Sequence, residues 1–534
     1  MKRKLLTALL CGALMLTSLA GCGQGAGNQS GTSADGESAV KDELVFVNYR
    51  DIRDLNPHLY AGEMYAQSIL YDTLVSNTSE GYVGCLAEDW TISEDGRIYT
   101  FNIRDGVTFS DGTPCDANAI LANFNAILEN RERHTWLEMM NLLVGVSAPD
   151  DDTLVIEMSE PYYPMLTELA CIRPFAMISP NCMIDGSTKD GVNGYIGTGP
   201  YVLTDFVTDE YAVFERNENY WGEKPAIRKI TVKVIPDNQT RIMALENGEI
   251  DLIFGKNMLD ADAISQYVDS DKFTVGLSDP TSTRHIVLNT THDILGDKSV
   301  RQALQHATNR QAISEGIFYG LEPAADTLYS TTVPYCDVDL EPYAYDADEA
   351  ARLLDEAGWT MGSDGVRVKD GQKLALDLLY NSDSVTEKTI SEYLQSEYLK
   401  LGISLNIHGE EEQSYRDNMK AGNFDMVFNI CWGMPYDPQS SLAAMRAPVY
   451  GDYAAQQGLE DKAEIDQAIT DILTSTDETK RQELYTFVLT RLHEDAVYIP
   501  LTFETNKALY TSDLKGVHFG TDQYDVDFAS MYFE

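Results

Sequence analysis

Apolar positions recur along this chain with two different periods. Phe424, Met426, Phe428 and Ile430 alternate with Asp425, Val427, Asn429 and Cys431, a period of two that predicts a strand. Gly433, Pro435 and Pro438 stop it, because proline lacks the N–H a ladder needs. Trp432 and Tyr436 are thus left at the mouth of the strand, where open α/β sheets hold ligands; capping a core is the ordinary alternative. The same alternation marks Tyr99, Phe101 and Ile103, and strand-like runs are predicted at 44–47, 154–158, 213–217, 230–234 and 496–503.

Helical spacing takes over elsewhere. Asp116 is placed to cap a helix that carries Ile120, Phe124, Ile127 and Leu128 on one face and ends near Asn130, with a loop over 131–136. Short helices are predicted over 64–74 and over 240–247, the second stopped by Gly248. Val300, Ala303, Leu304 and Ala307 share a face. Asp346 with Glu349 opens a helix burying Ala350, Leu353, Leu354 and Ala357 and ending at Gly358. Ile390, Leu394 and Leu401 mark a further helix, and Ile403, Leu405 and Ile407 a strand beyond it. With the 424–430 strand this forms a crossover unit, so the fold class is α/β.

At 534 residues the chain has material for two or three domains. Its formal net charge is −46, and loss of Lys2, Arg3 and Lys4 would make it more negative still, which makes nucleic acid and anionic membrane surfaces poor partners. Those three residues open a basic segment, residues 5–16 are apolar, and Leu19-Ala-Gly-Cys22 follows. This pattern predicts a lipoprotein signal over 1–21, cleaved before Cys22, which then carries lipid. The apolar run is too short for a membrane span, and 22–41 reads as a polar tether. The folded body is therefore expected outside the cytoplasm, anchored to the cell membrane by acyl chains.

Six cysteines remain besides Cys22, without a CxxC pair, so no thiolate metal site is predicted and the spacing selects no disulfide. No two of the eight histidines stand three or four apart on a predicted helix, and His58, His134 and His408 are read as structural. There is no HExxH, GxSxG or phosphate loop; Tyr195-Ile-Gly-Thr-Gly-Pro-Tyr201 lacks the spacing for nucleotides. Glu410-Glu-Glu412 is read as a solvated face, and no enzyme is predicted.

Asp105-Gly-Val-Thr-Phe-Ser-Asp-Gly112, Gly197-Thr-Gly-Pro-Tyr201, Val300-Arg-Gln-Ala-Leu304 and Leu353-Leu-Asp-Glu-Ala-Gly-Trp359 resemble family 5 of the extracellular solute-binding proteins of ABC importers, over nearly the whole chain. Leu55-Asn-Pro-His-Leu-Tyr60, Arg131-Glu-Arg-His-Thr-Trp-Leu137, Arg173-Pro-Phe175, Gly409-Glu-Glu-Glu412 and Trp432-Gly-Met-Pro-Tyr-Asp-Pro438 resemble more narrowly its nickel-binding members. The resemblance implies a two-lobed periplasmic-binding-protein fold of type II, in the large cluster C form. Lobe I would span 42–280 with 504–534, lobe II 281–503, and hinges would lie near 278–280 and 503.

It also implies a monomer that binds a chelated transition metal, nickel with a small carboxylate or histidine chelator, and serves a permease and its ATPase. Arg133 and Arg173 would clamp carboxylates, Trp136 and Trp432 would form aromatic walls, Met64 the floor, and Tyr436 would stand beside the chelate. That assignment suits the chemistry, since guanidinium forks match carboxylates and aromatic faces cover apolar or cationic surface. Where nickel-binding members end the segment matching Arg446-Ala-Pro-Val-Tyr450 in a metal-ligating histidine, this chain has Tyr450, a poor nickel ligand that is expected to bond the chelator instead. No cofactor and no protein metal ligand are expected. Peptides are the alternative ligand class, with heme- or opine-type molecules also open.

Overall fold

The computed structural model describes residues 41–534 except 79–80, 256–257, 432–437, 521–523 and 525. The leader, Cys22, the tether up to residue 40, Trp432 and Tyr436 lie outside the described residues.

Among the described residues, ten strands build the main sheet: β1 (Glu43–Asn48), β2 (Tyr201–Val207), β3 (Tyr211–Arg216), β4 (Lys229–Val234), β5 (Leu252–Phe254), β6 (Phe273–Leu288), β7 (Ala375–Asn381), β8 (Ser404–Glu410), β9 (Met426–Cys431) and β10 (Tyr498–Thr511). Their order across the sheet is β2-β3-β4-β1-β5-β10-β6-β9-β7-β8. β1 runs parallel to β4 and β5, and β7 runs parallel to β8 and β9. Parallel pairs need crossovers, which the helices Asn238–Glu246 and Val385–Lys400 supply.

β6 and β10 are long antiparallel partners that run through both halves of the sheet, from Phe273 opposite Thr511 to Val287 opposite Tyr498. Their register shifts on either side of Pro280, whose missing N–H interrupts the ladder. Just beyond, Arg284 on β6 pairs with Glu504 on β10 and lies 3.7 Å from Glu322, which Lys507 also reaches at 3.2 Å.

Each half of the sheet has its own core. Leu44, Phe46, Phe214, Ile230 and Leu252 pack on one face of the first half, with Val47, Ile253 and Leu509 on the other. In the second half, Ile286, Leu376, Leu378, Met426 and Phe428 face one core and Val287, Val427 and Cys431 the opposite one. A separate four-stranded antiparallel sheet (Ala87–Ile92, Ile98–Ile103, Thr153–Met158, Leu143–Ser147 in spatial order) packs on the helix Ala117–Glu129. The Asp116 carboxylate caps that helix by accepting from the Ala119 N–H at 2.9 Å.

Four local expectations shift. The helix expected over 64–74 ends at Leu70, because the Leu70 carbonyl accepts from the Gly199 N–H (3.0 Å) and Tyr71 turns to extended backbone. Residues Arg131–His134 form a 3₁₀ turn rather than a loop. The strand expected from Phe424 starts at Met426, and its buried residues do not alternate: Val427 is buried while Ile430 is half-buried, since β9 is covered on both faces. The C-terminal strand extends to Thr511, because β6 gives it a partner along its length.

Candidate ligand-binding cleft

β1 ends at Asn48, and the chain beyond it forms a wall of a cavity of about 880 Å³. Met64, Arg133, Trp136 and Arg173, all singled out by the sequence, line this one cavity. Tyr450 does not line it. That residue precedes the short helix Gly451–Ala455 and packs on the core around Val427 and Leu442, where burial raises its phenol pKa to about 12. Arg416 opposes this rise and Asp452 adds to it.

Arg173 is buried, 8% exposed, and its guanidinium is pre-aimed. Its Nε donates to Gln67 Oε1 (2.9 Å) and an Nη to the Gly62 carbonyl (2.6 Å), while the guanidinium carbon lies 5.9 Å from the Tyr60 ring centre. Gln67 is held by the Asn56 carbonyl at 3.1 Å, so the loop 55–62 and the first helix together orient the arginine.

Trp136 is 47% exposed and stands edge-on to Tyr60, with ring centres 6.3 Å apart. Its indole N–H donates to the Tyr60 hydroxyl (2.7 Å), which lies 2.6 Å from Nδ1 of His134. Burial, with Arg133 next to it, lowers the His134 pKa to about 4, so a neutral imidazole backs the aromatic wall. His58 is buried against Thr188 and its pKa falls to about 3 by desolvation. His408 is exposed beside Asp377 at 3.1 Å.

The sequence did not single out Arg50, Arg53 or Arg241, which also line the cavity. Arg50 is neutralised by Glu63 (2.5 Å), the one acidic side chain among the described residues that line the cavity. Arg241 is spent on backbone carbonyls, with Nη1 donating to Ile235 and Pro236 and Nη2 to Met258. Arg53 and Arg133 have no ion-pair partner among the described residues. A signal for the first two existed: Arg50 and Arg53 follow directly on the first strand, where ligands gather in open sheets.

Among the described lining residues, five arginines stand against one glutamate, a cationic set within a chain of net charge −46. Low-dielectric walls focus such a field and favour anionic ligands. Among the described residues, no group of three His, Cys, Asp or Glu side chains is placed to hold a metal ion, and the six cysteines are buried and outside any disulfide.

A mixed α/β sheet in two halves, with an open cavity beside the carboxyl end of β1, defines a solute-binding protein of the type II periplasmic class. The chain belongs to the bacterial extracellular solute-binding proteins, family 5, whose middle region matches residues 81–452. It is 41% identical over 499 residues to the nickel-binding periplasmic protein of Escherichia coli K12, covering 92% of this chain and 95% of that one. The crystal structure of NikA from Brucella suis in complex with Fe(III)-EDTA superposes with a TM-score of 0.88 at 43% identity, covering 92% of this chain and all of that one. The dipeptide-binding protein of E. coli K12 is 26% identical over 506 residues, covering 89% and 91%. Members of this family are extracytoplasmic solute-binding components of ABC importers, working with a permease and an ATPase; they are not enzymes.

Proposed function

We propose that this protein captures a transition metal already wrapped by a small carboxylate-bearing chelator, with nickel and a histidine-type chelator as the leading case, and delivers it to an import permease. The observation that carries this reading is the cavity whose described lining residues include five arginines and one glutamate in a strongly acidic chain. Arg133 and Arg173 would clamp carboxylates, and Trp136 with Tyr60 would cover the apolar side of the chelate over Met64.

Tyr450, kept protonated by burial, is unsuited to ligating nickel, so the chelator supplies the donors. The same cavity is ill-suited to a peptide amine. Glu63, the one acid among its described lining residues, already serves Arg50 and Asn48.

Residues 42–280 with 504–534 would form one lobe and 281–503 the other, with the strands around Pro280 and Phe503 as hinges. The cleft arginines then make half of a site. Trp432 and Tyr436, outside the described residues, would complete it on closure, and the closed form would be the one the permease reads. Lipid on Cys22 would hold the monomeric protein at the outer face of the cytoplasmic membrane.

Calorimetric titration of the purified protein with nickel alone, nickel with excess L-histidine, and a pool of di- and tripeptides tests this reading. Heat of binding only when nickel and chelator are both present supports it. Saturable binding of peptides with no response to the nickel mixture overturns it.

A further inference from the structure

The segment Pro161-Tyr-Tyr-Pro164 meets the second half of the chain outside the β6–β10 pair. It follows the strand Thr153–Met158 of the four-stranded sheet, and Tyr162 is buried in the core of that sheet. Tyr163 reaches the helices Lys462–Thr474 and Glu478–Glu494 instead. Its N–H donates to the Leu473 carbonyl (3.0 Å) and its hydroxyl to Glu478 Oε1 (2.7 Å). Its ring covers Arg481, with the guanidinium carbon 3.4 Å from the ring centre.

Arg481 is fully buried, yet its donors go to neutral groups: the Ile472 carbonyl, Gln439 Oε1 (3.2 Å) and the Tyr335 hydroxyl (3.4 Å). Tyr335 and Tyr485, stacked 4.8 Å apart, hold their ring centres 5.0 and 5.8 Å from its guanidinium carbon. Aromatic faces thus stabilise this charge, and the nearest face comes from the first half of the chain. The seam has a wet edge, since Tyr163 and Tyr335 are half-buried and Glu478 is exposed. Water can therefore rehydrate the guanidinium face when the halves part, so parting costs little more than the ring contact and its hydrogen bonds. Gln439, the polar partner of Arg481, stands at the start of the helix Pro438–Ala444, directly after the 432–437 segment.

We infer that Tyr163 seated on Arg481 is a latch that sets the balance between parted and closed lobes, and so tunes affinity for every cargo without touching it. This rests on reading the two halves as lobes that close on a ligand. A ligand held by the closed form binds more weakly by whatever factor depopulates that form, and the factor is the same for all such ligands.

Wild type, Tyr163→Ala and Tyr163→Phe are compared by small-angle X-ray scattering and by calorimetry with nickel plus excess L-histidine and with Fe(III)–EDTA, after a thermal melt has verified the fold. Tyr163→Ala is expected to have a larger radius of gyration than wild type without ligand and the same radius when saturated. It should bind both chelates about tenfold more weakly. Tyr163→Phe keeps the ring and loses the hydroxyl bonds, so its loss should be about threefold. If Tyr163→Ala does not fold, the smaller shift in Tyr163→Phe decides. Scattering and affinity both unchanged overturn the latch and leave the contact as static packing. A loss confined to one chelate also overturns it, by placing Tyr163 at the ligand. If wild type binds neither chelate, the chelate reading falls, and the scattering of the free proteins alone decides the latch.

Discussion

Replacing Arg173 by alanine is the most direct perturbation of the cleft. The residue is 8% exposed, and hydrogen bonds to Gln67 Oε1 and the Gly62 carbonyl aim its guanidinium before any ligand arrives. Little side-chain entropy is therefore left to lose on binding, and the full charge-assisted interaction is available to a carboxylate. Truncating such a buried, hydrogen-bonded charge costs about 2–5 kcal/mol of binding, which is roughly thirtyfold to several thousandfold in Kd. The substitution also strips donors from Gln67 and Gly62, which costs about 1–3 kcal/mol of stability. The two effects separate by assay: calorimetry against nickel with excess L-histidine reads the first, and urea unfolding without ligand reads the second. Arg173→Lys keeps the charge but loses the planar fork, and is expected to fall between wild type and Arg173→Ala in affinity. Unchanged affinity in Arg173→Ala, with the stability loss present, would refute the assignment of Arg173 to the site and leave it a structural arginine.

Two further outcomes follow from the same geometry. Burial lowers the His58 pKa to about 3, against about 6.5 in an unfolded chain. As pH falls below 6.5 the unfolded chain takes up this proton first, so stability is full above that pH and declines toward the folded value, by roughly 3 kcal/mol from this group by about pH 4. Urea midpoints at neutral and acid pH should converge more in His58→Gln than in wild type, and an equal acid loss in both proteins would sink the assignment. At Gly197 a Cβ would fall inside the Leu70 carbonyl and against the Tyr71 ring. Gly197→Ala should therefore lower stability by about 1–3 kcal/mol, read as a drop in melting temperature, and should also disturb the first helix that carries Met64 and Gln67. A melt unchanged from wild type would show that the contact yields without cost.

Much of the framework was legible in residue order alone. Asp116 with Ile120, Phe124 and Ile127 announced a capped, one-sided helix because capping and side-chain period are local properties. Tyr99, Phe101 and Ile103 announced a half-buried strand for the same reason. β9 shows where that logic stops. Its alternation implied one buried face, yet Val427 is buried and Ile430 is not, because neighbours distant in sequence cover both sides.

For the site, motifs pointed to Met64, Arg133, Trp136 and Arg173, residues spread over more than a hundred positions that the fold gathers around one cavity. Residue order could not show that Arg50 meets Glu63, that Arg241 spends its donors on carbonyls, or that Arg53 is held in a left-handed turn with its charge unpaired. It could not show that Tyr450 packs against the core instead of lining this cavity. Composition determined an acidic chain, and local pattern determined which segments became helix or strand. Which charges remain free to meet a ligand depends on partners brought together across the chain, and the tertiary structure alone decides that.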